Sequence, residues 1–210
     1  MTESIGILGT GEMGGILARA FSRANYPVLL GSRAAARAAE RATALAVAGG
    51  GKIQSGDYTT TVQSASILIL ALGFSDALTL LPTLGTALNG KLVVDISTPW
   101  GDEIAERSAA ERLADQLPAT AQLVGAWKTT FAATLDGPHD LQHDVFVSGD
   151  HAAAKQRVSG LIQKLGFRAV DCGNLATARV LEGMVRLMGP IARSLAPAER
   201  HGSPAWKFLP

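Results

Sequence analysis

Ile5-Gly6-Ile7-Leu8-Gly9-Thr10-Gly11-Glu12-Met13-Gly14 joins a short aliphatic run to a G-x-G-x-x-G pattern. The glycine pattern alone is common. Here it follows an apolar segment, opens a helical stretch from Met13 to Arg23 and leads to a second aliphatic run at Val28–Leu30. That strand–turn–helix setting is the one in which the pattern binds a dinucleotide. Gly9 permits the tight turn, Gly11 lets the backbone approach a pyrophosphate, and Gly14 lets helix and strand pack closely. The N–H groups opening the helix then face the phosphate anion.

Working outward, further aliphatic runs lie at Ile67–Leu72, Leu92–Ile96, Gln122–Gly125, Val145–Val147 and Arg168–Val170. Runs that are apolar at every position fit parallel strands covered on both faces. Candidate helices at Ala34–Ala48, Asp76–Leu88, Asp102–Gln116 and Ala152–Leu165 separate them. This alternation predicts right-handed βαβ units and a doubly wound, mostly parallel α/β sheet of the Rossmann kind. A last helix, roughly Leu175 to Leu195, carries Leu181, Met184, Val185, Met188 and Ile191 at helical spacing, widened by Val180 and Leu187. So wide a stripe must be buried against the body or another subunit. The tail is expected to turn at Pro197 and Pro204 and to dock Trp206, Phe208 and Leu209. The boundary is expected near Gly125–Phe131. Residues 1–125 then form a nucleotide-binding domain. Residues 126–210 form a smaller α/β-plus-helix lobe that completes the sheet, lines the acceptor groove and carries a dimer helix.

The 210 residues include 19 Lys and Arg against 18 Asp and Glu, a net charge of +1. That balance gives no support to nucleic acid or an acidic membrane surface as partner. Hydrophobic residues at 47% and charged residues at 18% describe a globular chain and exclude a disordered one. One cysteine, Cys172, excludes an intrachain disulfide and speaks against a Cys-based metal site. The apolar run Ile67–Leu72 is too short to cross a bilayer. Met1-Thr2-Glu3-Ser4-Ile5 lacks the basic segment and apolar run of a signal peptide. The expectation is a soluble, cytoplasmic protein with no metal.

Which dinucleotide binds is decided at the end of the second strand. An NAD site places Asp or Glu there for the ribose 2′-hydroxyl. This chain has Gly31-Ser32-Arg33, with Arg37 one helical turn further on. A carboxylate would repel a 2′-phosphate, whereas Ser32 can donate to it and the guanidinium fork of Arg33 matches its oxygens. The reading is NADP(H).

In a doubly wound sheet, ligands sit outside the carboxyl ends of the strands. Ala71-Leu72-Gly73-Phe74, Ile96-Ser97-Thr98-Pro99 and Gly125-Ala126-Trp127-Lys128 therefore surround one crevice. Ser97 and Thr98 either hydrogen-bond near the nicotinamide or cap the next helix. Lys128 has three readings: binding an anionic substrate, protonating a reduced product, or standing solvated at the surface. Asp95 reads as a polar anchor for a neighbouring loop, and Cys172 as a small buried side chain. His139, His143 and His151 read as solvated loop histidines. There is no nucleophile elbow and no P-loop lysine. A nicotinamide carries the hydride chemistry itself. A flavin-like acceptor demands no side-chain acid, whereas an imine or carbonyl acceptor needs a proton donor, for which Lys128 is the candidate.

Several stretches together resemble the NADP oxidoreductases dependent on the deazaflavin coenzyme F420, and their NADPH-dependent reductase relatives. They are Ile7–Gly14, Gly31-Ser32-Arg33, Ala126-Trp127-Lys128-Thr129, Asp171-Cys172-Gly173-Asn174-Leu175, Ala178-Arg179-Val180-Leu181-Glu182 and Trp206-Lys207-Phe208-Leu209. The resemblance implies a homodimer in which hydride passes face to face between nicotinamide and deazaflavin. It implies pyrophosphate contacts from Thr10 to Met13, Glu12 included, and 2′-phosphate contacts from Ser32, Arg33 and Arg37. It sets Trp127 to Ala132, Thr130 among them, beside the reacting rings. Lys128 stands where relatives carry Asn or His, and Phe131-Ala132-Ala133 where some carry proline. The acceptor stays open between coenzyme F420 and a flavin. An imine or carbonyl reductase and a non-catalytic NADPH sensor are the alternatives.

Overall fold

Aliphatic residues at consecutive positions put apolar groups on both faces of a strand, since successive side chains point to opposite sides. The computed structural model, which describes residues 3–101, 105–136, 143–194 and 205–209, shows where each face goes. Strands β1 (Ile5–Leu8), β2 (Val28–Ser32), β3 (Ile53–Asp57), β4 (Ile67–Leu70), β5 (Leu92–Asp95) and β6 (Gln122–Gly125) form one sheet in the order β3-β2-β1-β4-β5-β6. Every neighbouring pair in it is parallel. In β4, Ile67 and Ile69 join a core with Leu17 and Phe21 of α1 (Glu12–Arg23) and Val158 of α7 (Ala152–Lys164). Leu68 and Leu70 face the other way, onto Val62 of α3 (Tyr58–Ser64), Leu81 of α4 (Phe74–Leu84) and Leu113 of α5 (Ala109–Ala114). This is the expected doubly wound Rossmann sheet, and its order reverses between β1 and β4. A crevice outside their carboxyl ends follows from that reversal.

The structure corrects several expectations. Strand β3, Ile-Gln-Ser-Gly-Asp, lies at the sheet's edge and pairs only with β2, so it needs no apolar run. The expected helix at Asp102–Gln116 is shorter among the described residues. Ser108 starts α5 by accepting from the Glu111 N–H while the Glu111 carboxylate accepts from the Ser108 N–H, a capping box. The last two strands, β7 (Asp144–Val147) and β8 (Arg168–Asp171), do not complete the main sheet. They pair with each other in parallel and touch β6 through one antiparallel bridge, Gly125 to Ser148.

The inner stripe of α8 (Ala178–Ser194) buries Leu181, Val185 and Met188, but Val180 and Leu187 are more than half exposed. The apolar tail is docked only in part: Trp206 is half-buried with its indole Nε1 enclosed, whereas Phe208 and Leu209 are exposed. Its backbone is held as well. Asp144 donates its N–H to the Trp206 carbonyl at 3.0 Å, its carboxylate accepts from the Phe208 N–H, and Arg168 donates to the Phe208 carbonyl. Pro197, Pro204 and His139 lie outside the described residues.

Candidate active site

Helix α1 begins at Gly11, whose backbone caps it with no side-chain hydrogen bond. Its first intrahelical bond runs from the Gly15 N–H to the Gly11 carbonyl at 2.9 Å, so the N–H groups of Glu12, Met13 and Gly14 have no acceptor within the helix. A Cβ added at Gly11 would meet nothing within 4 Å. A Cβ at Gly9 would sit 2.1 Å from the Ala71 carbonyl oxygen, and Gly9 has φ +127. One at Gly14 would sit 2.1 Å from the Gly9 carbonyl oxygen. Gly9 and Gly14 are thus fixed by packing, whereas Gly11 keeps open the space over unpaired donors. That space is a built anion cradle.

Two cavities meet over it. One, of about 410 Å³, runs from Gly9, Thr10 and Gly11 to Ser32, Arg33 and Arg37. The other, of about 600 Å³, runs from Gly11, Glu12 and Met13 past Ser97 and Thr98 to Trp127, Lys128 and Thr130. Both are bordered by Ala71, Leu72 and Gly73, so they form one groove along the carboxyl ends of β1, β4 and β5. Sixteen of the site residues singled out in the sequence line it; Gly14, Ala126 and Ala132 are buried behind it.

At the first cavity, Ser32 ends β2 in register with Asp57. That carboxylate is already used, accepting from the Thr60 N–H at 2.7 Å to cap α3. Arg33 is highly exposed and 3.5 Å from Asp76 across the groove, a surface pair of small energetic weight. Tyr58 closes the same end. Burial pushes its phenol above its ordinary value, against the pull of Arg33. Neither Tyr58 nor Asp76 was legible as a site residue, because neither lies in the glycine motif or at the end of β2.

At the second cavity, the turn after β6 places Trp127 at φ +51, a left-handed conformation that is uncommon outside glycine. Its indole is 1% exposed and packs edge-on against Phe21, with centroids 6.1 Å apart. It is therefore a floor of the groove built mainly as core. The same turn sends Lys128 inward. Its ammonium donates to Asp95 Oδ2 at 2.6 Å and to the Ser97 carbonyl at 2.5 Å, and lies 3.0 Å from Glu182 Oε1. None of the Lys128 side chain is exposed. This corrects the solvated reading, since the ammonium donates to two protein oxygens and lies within ion-pair distance of a third while bordering the groove. Asp95 is the anchor expected of it: Oδ1 accepts from the Ser97 N–H at 2.8 Å and from Ser97 Oγ at 2.6 Å. Thr130 Oγ1, also on the groove, is buried and has no protein partner. Phe74, Ile96, Trp100 and Val185 line the cavity too, and the sequence analysis had not assigned the last two to it. Cys172 is half-buried, and burial pushes its thiol up, which fits an inert side chain.

The family described as NADP oxidoreductase, coenzyme F420-dependent, matches residues 4–99. The F420-dependent NADP reductase of Methanocaldococcus jannaschii is 30% identical over 199 residues, covering 86% of this chain and 87% of that protein. The chain belongs to the F420-dependent NADP reductase family. The metalloreductase STEAP3 of Rattus norvegicus is 33% identical over 183 residues, covering 86% of this chain, but the chain spans only 36% of its length. A solved structure from Arthrobacter sp. FB24, named provisionally as an F420-dependent NADP-reductase, superposes with a TM-score of 0.81. It is 24% identical and covers 91% of this chain and 94% of that one, a likeness that shows the fold.

Proposed function

We propose that this protein exchanges hydride between NADP(H) and a flat ring acceptor, with the deazaflavin coenzyme F420 as the acceptor that its family membership favours. One observation carries the reading. The end of β2 offers a hydroxyl and two guanidinium groups and no uncommitted carboxylate, at the mouth of a groove that continues past unpaired helix donors into a larger cavity. When bound, the nicotinamide supplies the hydride chemistry. The chain's own residues bind and orient. Ser32, Arg33 and Arg37 receive the 2′-phosphate, and the N–H groups of Glu12 and Met13 receive the pyrophosphate. Ala71, Leu72 and Gly73 leave room for the ribose between the cavities. The loop Ser97–Thr98, pinned by Asp95, and Thr130 Oγ1 hold the polar edge of the rings. Met13, Phe74, Ile96 and Trp100 supply apolar walls against which a flat ring excludes water.

Residues 1–125 act in this reading as the nucleotide-binding domain. Residues 126–210 add the far wall of the acceptor cavity through Trp127, Thr130 and Val185. A homodimer formed through the outer side of α8 would cover Val180, Leu187 and Ile191, which a lone chain leaves to water. A cytoplasmic location fits the free thiol of Cys172, and no described helix is long and apolar enough to cross a membrane.

The test is anaerobic oxidation of NADPH against F420, FMN, FAD, cyclic imines and quinones. Turnover with F420 well above the others supports the proposal. Turnover with imines alone would overturn it. Tight NADPH binding without turnover on any of them would point to NADPH sensing.

A further inference from the structure

Arg41 and Gly15 form a feature that the glycine fingerprint does not explain. Arg37 and Arg41 stand four residues apart on α2 (Ala35–Leu45), which stacks their side chains along one helix face, and Arg33 lies just before that helix. A side cleft of about 290 Å³ lies against this face, lined by Thr10, Arg37, Glu40, Arg41 and Ala44. It shares Thr10 and Arg37 with the phosphate end of the main groove, so the two spaces adjoin.

The Arg41 guanidinium lies across the first turn of α1, directly over Gly15. A Cβ on Gly15 would stand 2.7 Å from Nη2 and 3.1 Å from Nε. Gly15 is buried in helical backbone and has no positive φ to require glycine. The room it leaves is what seats the guanidinium. Arg41 Nε is itself buried and has no hydrogen-bond partner. A buried N–H without an acceptor is costly and uncommon in a finished structure, and a guanidinium presents its donors as a fork matched to phosphate oxygens. Glu40 is the carboxylate on this wall, set against two guanidinium groups.

We propose that Arg41, seated by Gly15, is a further specificity-determining residue that supplies a second fork to the 2′-phosphate end of the cofactor. This rests on the NADP reading of the groove. The whole protein is titrated by calorimetry with 2′,5′-ADP and with 5′-ADP, which differ only in the phosphate at issue. Arg41→Met should weaken 2′,5′-ADP by about tenfold and leave 5′-ADP within about twofold. Gly15→Ala should give the same selective loss, and should add nothing in an Arg41→Met background. An equal loss for both nucleotides in Arg41→Met, or no loss for either, overturns the proposal. Arg33→Ala separates the two levels. If it abolishes the preference for 2′,5′-ADP while Arg41→Met does not, this inference alone fails. If neither variant changes the preference, the assignment of the groove fails with it.

Discussion

Lys128 Nζ lies 2.6 Å from Asp95 Oδ2, and neither side chain has any exposed surface. With Glu182 Oε1 at 3.0 Å, the ammonium ties together the end of β5, the turn after β6 and helix α8. The Glu182 carboxylate also accepts from the Ala109 N–H at 3.1 Å, which holds α5 to the same point. The groove's inner wall is therefore assembled on one buried cation.

Removing that cation should unfold more than it inactivates. Lys128→Met leaves two buried carboxylates facing each other, a defect worth about 3–5 kcal/mol. Thermal denaturation should show a large fall in Tm, with NADPH affinity preserved in the protein that remains folded. An unchanged Tm with turnover abolished would instead restore Lys128 as a proton donor.

Two glycines of the same motif should respond in opposite ways. Gly9→Ala forces a Cβ into the Ala71 carbonyl at 2.1 Å and at a positive φ, so it should cost several kcal/mol of stability, about 2–4. Gly11→Ala meets no protein atom. Its Tm should stay close to that of the parent, while NADPH binding weakens because the methyl group enters the anion cradle. Parallel Tm and fluorescence titrations of the two variants check the contrast.

Asp144 should make the tail acid-sensitive. Burial pushes its carboxyl up, but the Arg168 guanidinium and the Phe208 N–H outweigh that, and its value lies below the ordinary range. A depressed folded value means that the carboxylate stabilises above its unfolded value of about 3.9. That contribution is lost as the pH falls below it toward the folded value. Asp144→Asn should remove about 1–3 kcal/mol at neutral pH and flatten this acid limb. Urea melts from pH 7 down to pH 3 would show it.

The outer side of α8 should control assembly. Leu187→Glu places a charge on an exposed apolar stripe with no effect on the buried Leu181, Val185 and Met188. Light scattering should then give a monomer mass where the parent gives a dimer. A monomeric parent would remove the dimer from the account.

The sheet was legible because its inner strands must be apolar at every position, as Ile67-Leu68-Ile69-Leu70 is. Edge strand β3 was not, since its polar residues face solvent on one side and carry no run to detect. The phosphate end of the groove was legible because Gly9, Gly11, Ser32 and Arg33 are local in sequence and each has a distinct chemical reason to be there. The acceptor end was not. Asp95, Lys128 and Glu182 are brought together only by packing, and a buried lysine reads the same as a solvated one until its partners are in place. The tail was legible only in part: Trp206 is half-buried, as an apolar side chain suggests, whereas Phe208 and Leu209 stay exposed and their stretch is held through the backbone.

The central claim is that the pocket after β2 selects the phosphorylated cofactor. Isothermal titration of NADPH and NADH into the parent and into Arg33→Ala tests it most directly. NADPH should bind more tightly to the parent, and the substitution should weaken NADPH by about 1–3 kcal/mol with little change for NADH. Tighter binding of NADH by the parent, or an equal loss for both nucleotides on substitution, would contradict the account.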